Sequence, residues 1–153
     1  MIWVRPDKEG KLVTWYSEEE MKLNFTISEL LKSDTAKKYG IKNMPSSPEI
    51  YDNLLMLITE CLQPLRNYIG KPIIITSGYR TQLLNQKIGG VDTSQHCKGQ
   101  AADFIIKGMS IPSIIEAVKR SGVEYDQCIN EYSQWVHISY NKGKNRKQCF
   151  NIT

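Results

Sequence analysis

The stretch SQHCKGQAADFII, residues 94–106, sets the fold and poses the chemical question together. After Gly99, AADFII reads as a strand. Its two-residue period places Ala101, Asp103 and Ile105 on one face and Ala102, Phe104 and Ile106 on the other. Asp103 is therefore a carboxylate among small or apolar neighbours, and burying it costs free energy unless a charge compensates. A cation is the obvious remedy. Further along, WVHIS (135–139) has the same parity, with Trp135, His137 and Ser139 on one face and Val136 and Ile138 turned to the core. The chain contains two histidines, His96 and His137. Two imidazoles and one carboxylate, with a fourth position for water, form the ligand set of a catalytic zinc site. The same residues also suit a plainer arrangement: a hydrogen-bonded, half-buried strand histidine and an aspartate at a turn or sheet edge.

Working outward, KPIIITSGYR reads as a buried strand of β-branched residues running into a Ser77-Gly78 turn, and TQLLNQKIGG as a short helix or loop closed by glycines. Upstream, Thr26 and Glu29 have capping-box spacing ahead of Leu30 and Leu31, and Gly40 can end a second short helix. Residues Ile50, Leu54, Ile58, Cys61, Leu62, Leu65 and Ile69 recur every three or four positions, as on a core-facing helix that Pro64 should bend or interrupt. SIPSIIEAVKRSG is a further amphipathic helix stopped by Gly122, and QCINEYSQWVHISYN supplies one or two final strands. Residues 1–22 read as a strand or arm, KLVTWY, followed by an acidic turn, SEEE. Helices come first and strands mostly later, which predicts an α+β fold with an antiparallel sheet.

The chain has 153 residues, 41% of them hydrophobic and 24% charged, which is globular composition for one domain. We read residues 1–23 as an N-terminal arm, about 24–140 as the core and 141–153 as a basic tail, all within a single, monomeric unit. No apolar run is long enough to span a membrane. The start, MIWVRPDKEGKLVTW, lacks the apolar centre of a secretory signal, so synthesis in the cytoplasm is expected. Cys61, Cys97, Cys128 and Cys149 are spaced too widely for a CxxC motif and are expected as free thiols. The net charge of +4 sits partly in NKGKNRKQ, but without interleaved aromatics or a recognisable motif, so no nucleic-acid partner is expected.

SQHCKGQAAD, as S-x-H-x-x-G-x-A-x-D, followed by NEYSQWVHIS, resembles the zinc D-alanyl-D-alanine carboxypeptidases of peptidase family M15, especially their short phage and bacterial A-type subgroup. The likeness extends back through ITSGYRTQLLNQKIGG and covers about residues 24–140. The fold it implies is the hedgehog/DD-peptidase type, with helices packed on one side of the sheet. By this resemblance His96, Asp103 and His137 are ligands of Zn2+, and Glu131 is the general base. Arg80 then holds substrate or the developing oxyanion, while Ser94 and Trp135 line the site. The implied substrate is the peptide stem of bacterial peptidoglycan, cut in carboxypeptidase or endopeptidase fashion. Action on the wall would follow release from the cell, or the protein would be carried on a virion. The alternative is a catalytically inactive zinc-binding interaction module of the hedgehog-like fold.

One departure tests the assignment. The dipeptidase branch of the family carries glutamate three residues before the last histidine, where this chain has Gln134, and an amide cannot relay a proton at neutral pH. Glu131 must then serve, with Asp126 as the competing carboxylate. A fully extended chain would separate Glu131 from His137 by roughly 20 Å, so EYSQ must bend back for the two to meet. A Cys97–His137 nucleophilic pair is the other chemistry the residues allow, and it leaves Asp103 and Glu131 without a role.

Overall fold

The computed structural model describes residues 2–17 and 22–153. Strands β1 (Ile2–Pro6) and β2 (Leu12–Ser17) pair antiparallel in a separate two-stranded sheet. KLVTWY is thus a strand from Leu12 onward, whereas the acidic turn lies outside the described residues beyond Ser17. Helices α1 (Ile27–Leu31) and α2 (Asp34–Lys38) follow. Thr26 and Glu29 form the expected reciprocal box: the Glu29 amide donates to Thr26 Oγ1 at 3.1 Å and the Thr26 amide to Glu29 Oε1 at 3.0 Å.

The long amphipathic segment starts at Pro48 as α3 (Pro48–Met56), passes through a π-helical turn (Leu57–Leu62) and continues as α4 (Gln63–Ile69). Pro64 cannot donate to the helical ladder. The chain meets it in π register, with the Gln63 amide bonded to the Ile58 carbonyl five residues back, so the proline changes the winding of the helix without ending it. Leu54, Leu57, Ile58, Leu62 and Leu65 are all fully buried on the inner face.

Strands β3 (Ile74–Ser77), β4 (Ala101–Ile105), β5 (Gln127–Glu131), β6 (Trp135–Ser139) and β7 (Gln148–Ile152) form a second sheet in the order β3-β4-β6-β5-β7. Its pairings are antiparallel except β5–β7, which is parallel. The fold is α+β, with a mostly antiparallel sheet. One expectation needs correction. The β3 segment is an edge strand whose Ile74 and Ile75 are only half-buried, because one side has no neighbouring strand among the described residues. The last residues of the basic tail form β7, whose exposed, weakly apolar sequence QCFNI carries almost no strand signal of its own.

Parity decides what each face of the sheet does. Ala102 opposes Ile138 and Phe104 opposes Val136, all buried against the helices, including α6 (Ile111–Ser121) through Ile114 and Val118. The opposite face carries Asp103 directly across from His137, and Ile129 next to His137 on the far side. One face of the sheet is core; the other is free for chemistry.

Candidate metal centre

His96 enters from a 3-10 turn, Gln95–Lys98, that follows α5 (Gln82–Lys87). Ser94 caps this turn by accepting a hydrogen bond from the His96 amide at 3.2 Å, so its role is to shape the turn. Gly99 ends it at φ +72°, and a Cβ there would lie 2.7 Å from the Ile50 carbonyl oxygen of α3. Only glycine meets both demands, which gives the H-x-x-G spacing a physical cause. Two residues later the chain enters β4 and delivers Asp103.

The three predicted ligands converge. His96 Nε2 lies 3.3 Å and His137 Nδ1 lies 3.1 Å from Asp103 Oδ1, and the three ligand atoms are within 4.8 Å of one another. Ligands at about 2.0–2.1 Å around a tetrahedral ion would stand about 3.3 Å apart, so the spacing fits one such ion closely. His96, Asp103 and His137 are 3%, 5% and 8% exposed, respectively. Burial works against charge on Asp103, but hydrogen bonding to His137 and His96 outweighs it and holds the carboxyl well below the ordinary carboxylate range. An ionised carboxylate aimed between two ring nitrogens is the donor set that zinc takes. His96 Nδ1 is 2.7 Å from the Gly78 carbonyl; donation to that oxygen occupies Nδ1, orients the ring and leaves Nε2 as the nitrogen that would ligate an ion.

Glu131 is brought in by the bend that the sequence demanded. Tyr132 and Ser133 take φ of 57° and 54°, the Gln134 amide closes the turn on the Glu131 carbonyl at 3.0 Å, and the Ser133 amide is held by Asn130 Oδ1. The hairpin sets Glu131 across from Trp135. Trp135 Nε1 donates to Glu131 Oε2 at 3.0 Å, while Oε1 lies 3.7 Å from His137 Nδ1. Trp135 thus orients the glutamate as well as lining the groove.

Arg80 follows the turn after β3. Its Nη2 lies 3.5 Å from Asp103 Oδ2, the oxygen distal to the histidine pair. Ser77 Oγ accepts from Nε and Nη2, and Asn85 Oδ1 accepts from Nη1 at 3.4 Å. Asn85 is completely buried, donates to the Val91 carbonyl at 2.7 Å and leaves no space for a side chain at Gly90. Sequence reading passed over Asn85, although a polar residue on the inner face of α5, four residues before Gly89, was a usable signal. Gly78, expected from the sequence in the turn after the strand, meets a second demand there. A Cβ on Gly78 would collide with the Leu30 carbonyl oxygen, which accepts from the Tyr79 amide at 2.7 Å.

The competing residues have other work. Asp126 accepts from the Arg146 amide, from Arg146 Nε and Nη2, and from Gln95 Nε2, all at 2.8–2.9 Å. It braces the tail against the turn that carries His96. Burial pushes the Cys97 thiol up, opposite to the shift an activated nucleophile requires. All four cysteines are free thiols. The cluster opens into a groove of about 580 Å³ lined by Arg80, Ser94, Glu131, Tyr132, Trp135 and Arg146 among others.

The sequence profile of the family described as Peptidase M15 matches residues 23–139. The chain belongs to the peptidase M15 family. The zinc D-Ala-D-Ala carboxypeptidase of Streptomyces albus G is 26% identical over 118 residues, covering 76% of this chain and 45% of that protein. The chain therefore spans about half the length of the curated relative it matches. The M15 match encloses every residue of the metal cluster, along with Arg80, Glu131 and Trp135, and stops short of Arg146 and β7. Among the described residues no helix is long and apolar enough to cross a membrane.

Proposed function

We propose that the protein is a zinc-dependent peptidase that hydrolyses peptide bonds in the stems of bacterial peptidoglycan, in carboxypeptidase or endopeptidase fashion. The S. albus relative is a zinc D-Ala-D-Ala carboxypeptidase, which supports a peptide substrate of this class. The observation that carries the chemistry is the position of Glu131, whose Oε1 stands 3.7 Å from a ring nitrogen of the cluster while its other oxygen is tethered to Trp135.

His96 Nε2, Asp103 and His137 Nδ1 would hold the zinc, which when bound supplies Lewis acidity to the attacking water and to the scissile carbonyl. Glu131 takes the proton from that water as it adds to the carbonyl carbon, and returns it to the leaving amine as the carbon–nitrogen bond breaks. The tether to Trp135 keeps the carboxylate in place through both transfers. Arg80, fixed by Ser77, Asn85 and Asp103, presents positive charge to the oxygen on which negative charge develops. Its confinement means that little reorganisation is required when that charge appears.

Incubation of purified peptidoglycan with the protein, with and without chelator, followed by mass spectrometry of newly freed amino termini, tests the reading. Cleavage that depends on zinc is expected. Glu131→Gln should keep zinc and lose at least two to three orders of magnitude in kcat. Zinc binding without any cleavage by the unaltered protein would instead identify an interaction module, and unchanged turnover in Glu131→Gln would remove the glutamate from the mechanism.

A further inference from the structure

The groove that holds the cluster is completed by a part of the chain beyond the residues matched to the M15 family: Arg146 and Ile152 line it, while the match ends at residue 139. Arg80 and Arg146 are the two cationic residues among its lining. They differ in availability. Arg80 is committed to Asp103, Ser77 and Asn85, with 15% of its side chain exposed. Arg146 is 51% exposed, yet it is not loose. Its Nε and Nη2 donate to the two oxygens of Asp126 at 2.9 and 2.8 Å, and Asp126 is itself 1% exposed and held by Gln95. This fork-to-fork pairing uses one edge of the guanidinium and fixes its plane, while Nη1 has no partner among the described residues.

A guanidinium held in one orientation with a free edge is a preorganised donor site for an anion, since the entropy of ordering the side chain is already spent. Its place along the groove sets what that anion is attached to. Asp126 precedes Ile129 by three residues, and Ile129 lies in register with His137. At about 3.3 Å per residue, Arg146 is anchored about 10 Å along β5 from the metal row, at the end opposite Glu131. An extended peptide covers that distance in about three residues.

We propose that Arg146 is a specificity-determining residue that binds a free carboxylate on the peptide substrate about three residues from the scissile bond. This rests on the peptidase reading above. The C-terminal segment thereby adds a recognition element to a catalytic site built entirely from the M15 region. Neutralisation by Asp126 does not defeat the interaction, because Arg146 lines the groove, is half exposed and keeps Nη1 as a charge-assisted donor.

The test compares two stem peptides that are identical except for a carboxylate or a carboxamide at that position. Turnover is measured with the zinc-loaded protein, and equilibrium binding with zinc-loaded Glu131→Gln protein, which separates recognition from catalysis. The acid should be preferred roughly tenfold or more, expressed in KM and in binding, with kcat similar for both. Arg146→Gln should bring the ratio of acid to amide close to one, whatever the absolute turnover of that variant. Arg146→Lys retains a cation for Asp126 but has no second edge, so it should lose most of the preference even if the glutamine variant fails to fold. Equal binding of the two peptides, or a preference that survives in a folded Arg146 variant, overturns the proposal. A binding preference without turnover would instead refute the peptidase reading and leave this recognition site standing.

Discussion

Replacing Gly78 with alanine sets a methyl group on the Leu30 carbonyl oxygen and 2.9 Å from that residue's carbonyl carbon and Cα. Every atom in the collision is backbone, so no rotamer change relieves it. Ordinary contact requires α1 and the turn after β3 to separate by about 1 Å, in an interior that does not yield easily. Overpacking of this kind costs about 1–3 kcal/mol. The movement also stretches the 2.7 Å bond from the Tyr79 amide to Leu30, and a buried amide left without its acceptor adds about 1–3 kcal/mol. A total of about 4 kcal/mol, against a usual stability of about 5–15 kcal/mol, lowers Tm by roughly 10 °C for a domain of this size. The same displacement draws the Gly78 carbonyl away from His96 Nδ1, and loss of such an orienting partner weakens zinc binding about 10–100-fold. Thermal unfolding in chelator and zinc affinity by chelator competition measure the two effects separately. Gly122→Ala is the control: Gly122 has φ +72° and nothing within 4 Å, so only backbone strain of about 1–2 kcal/mol applies and zinc affinity stays unchanged. Equal Tm and equal zinc affinity in the two variants would refute the account of Gly78.

Other consequences are open to measurement. Trp135→Phe removes the donor that tethers Glu131 Oε2; kcat should fall about tenfold with zinc affinity unchanged, and a matching loss of zinc would show that the tryptophan supports the ligands instead. Zinc at 100 times its Kd should stabilise the fold by about 2.7 kcal/mol, or roughly 5–10 °C in Tm, and His137→Ala should abolish that response in thermal scans. Asp126 is lowered to about 2, chiefly by Arg146, with burial opposing and the Arg146 amide and Gln95 assisting. Its folded value is depressed, so its contribution is complete above about pH 4 and is lost as pH falls through about 2. The stability gap between the wild type and Asp126→Asn in urea titrations should therefore close over that window, and a gap independent of pH would contradict the assignment.

What could be read in advance followed from short-range rules. Asp103 and His137 stand in strands whose alternation is plain, so their common face was visible before their contact was known. The capping box at Thr26 and the helix stop at Gly122 were equally local. The features that escaped reading depend on distant partners. Nothing near Gly78 in the chain announces Leu30, and nothing near Gln148 announces a parallel neighbour in β5. The hairpin at Tyr132 and Ser133 shows the boundary between the two. Distance required a bend there, but two successive positive φ values at residues other than glycine or asparagine lie outside the usual turn signals.

The alternation along β4 and β6 also limits how the protein can be altered. Sliding either strand by one residue would turn its ligand inward and push an isoleucine, valine or phenylalanine into water, so chelating ability and a sound hydrophobic interior stand or fall together. A batch that takes up one equivalent of zinc thereby certifies its own strand alignment. Insertions between those strands belong in the connecting loops, where added length leaves this coupling untouched.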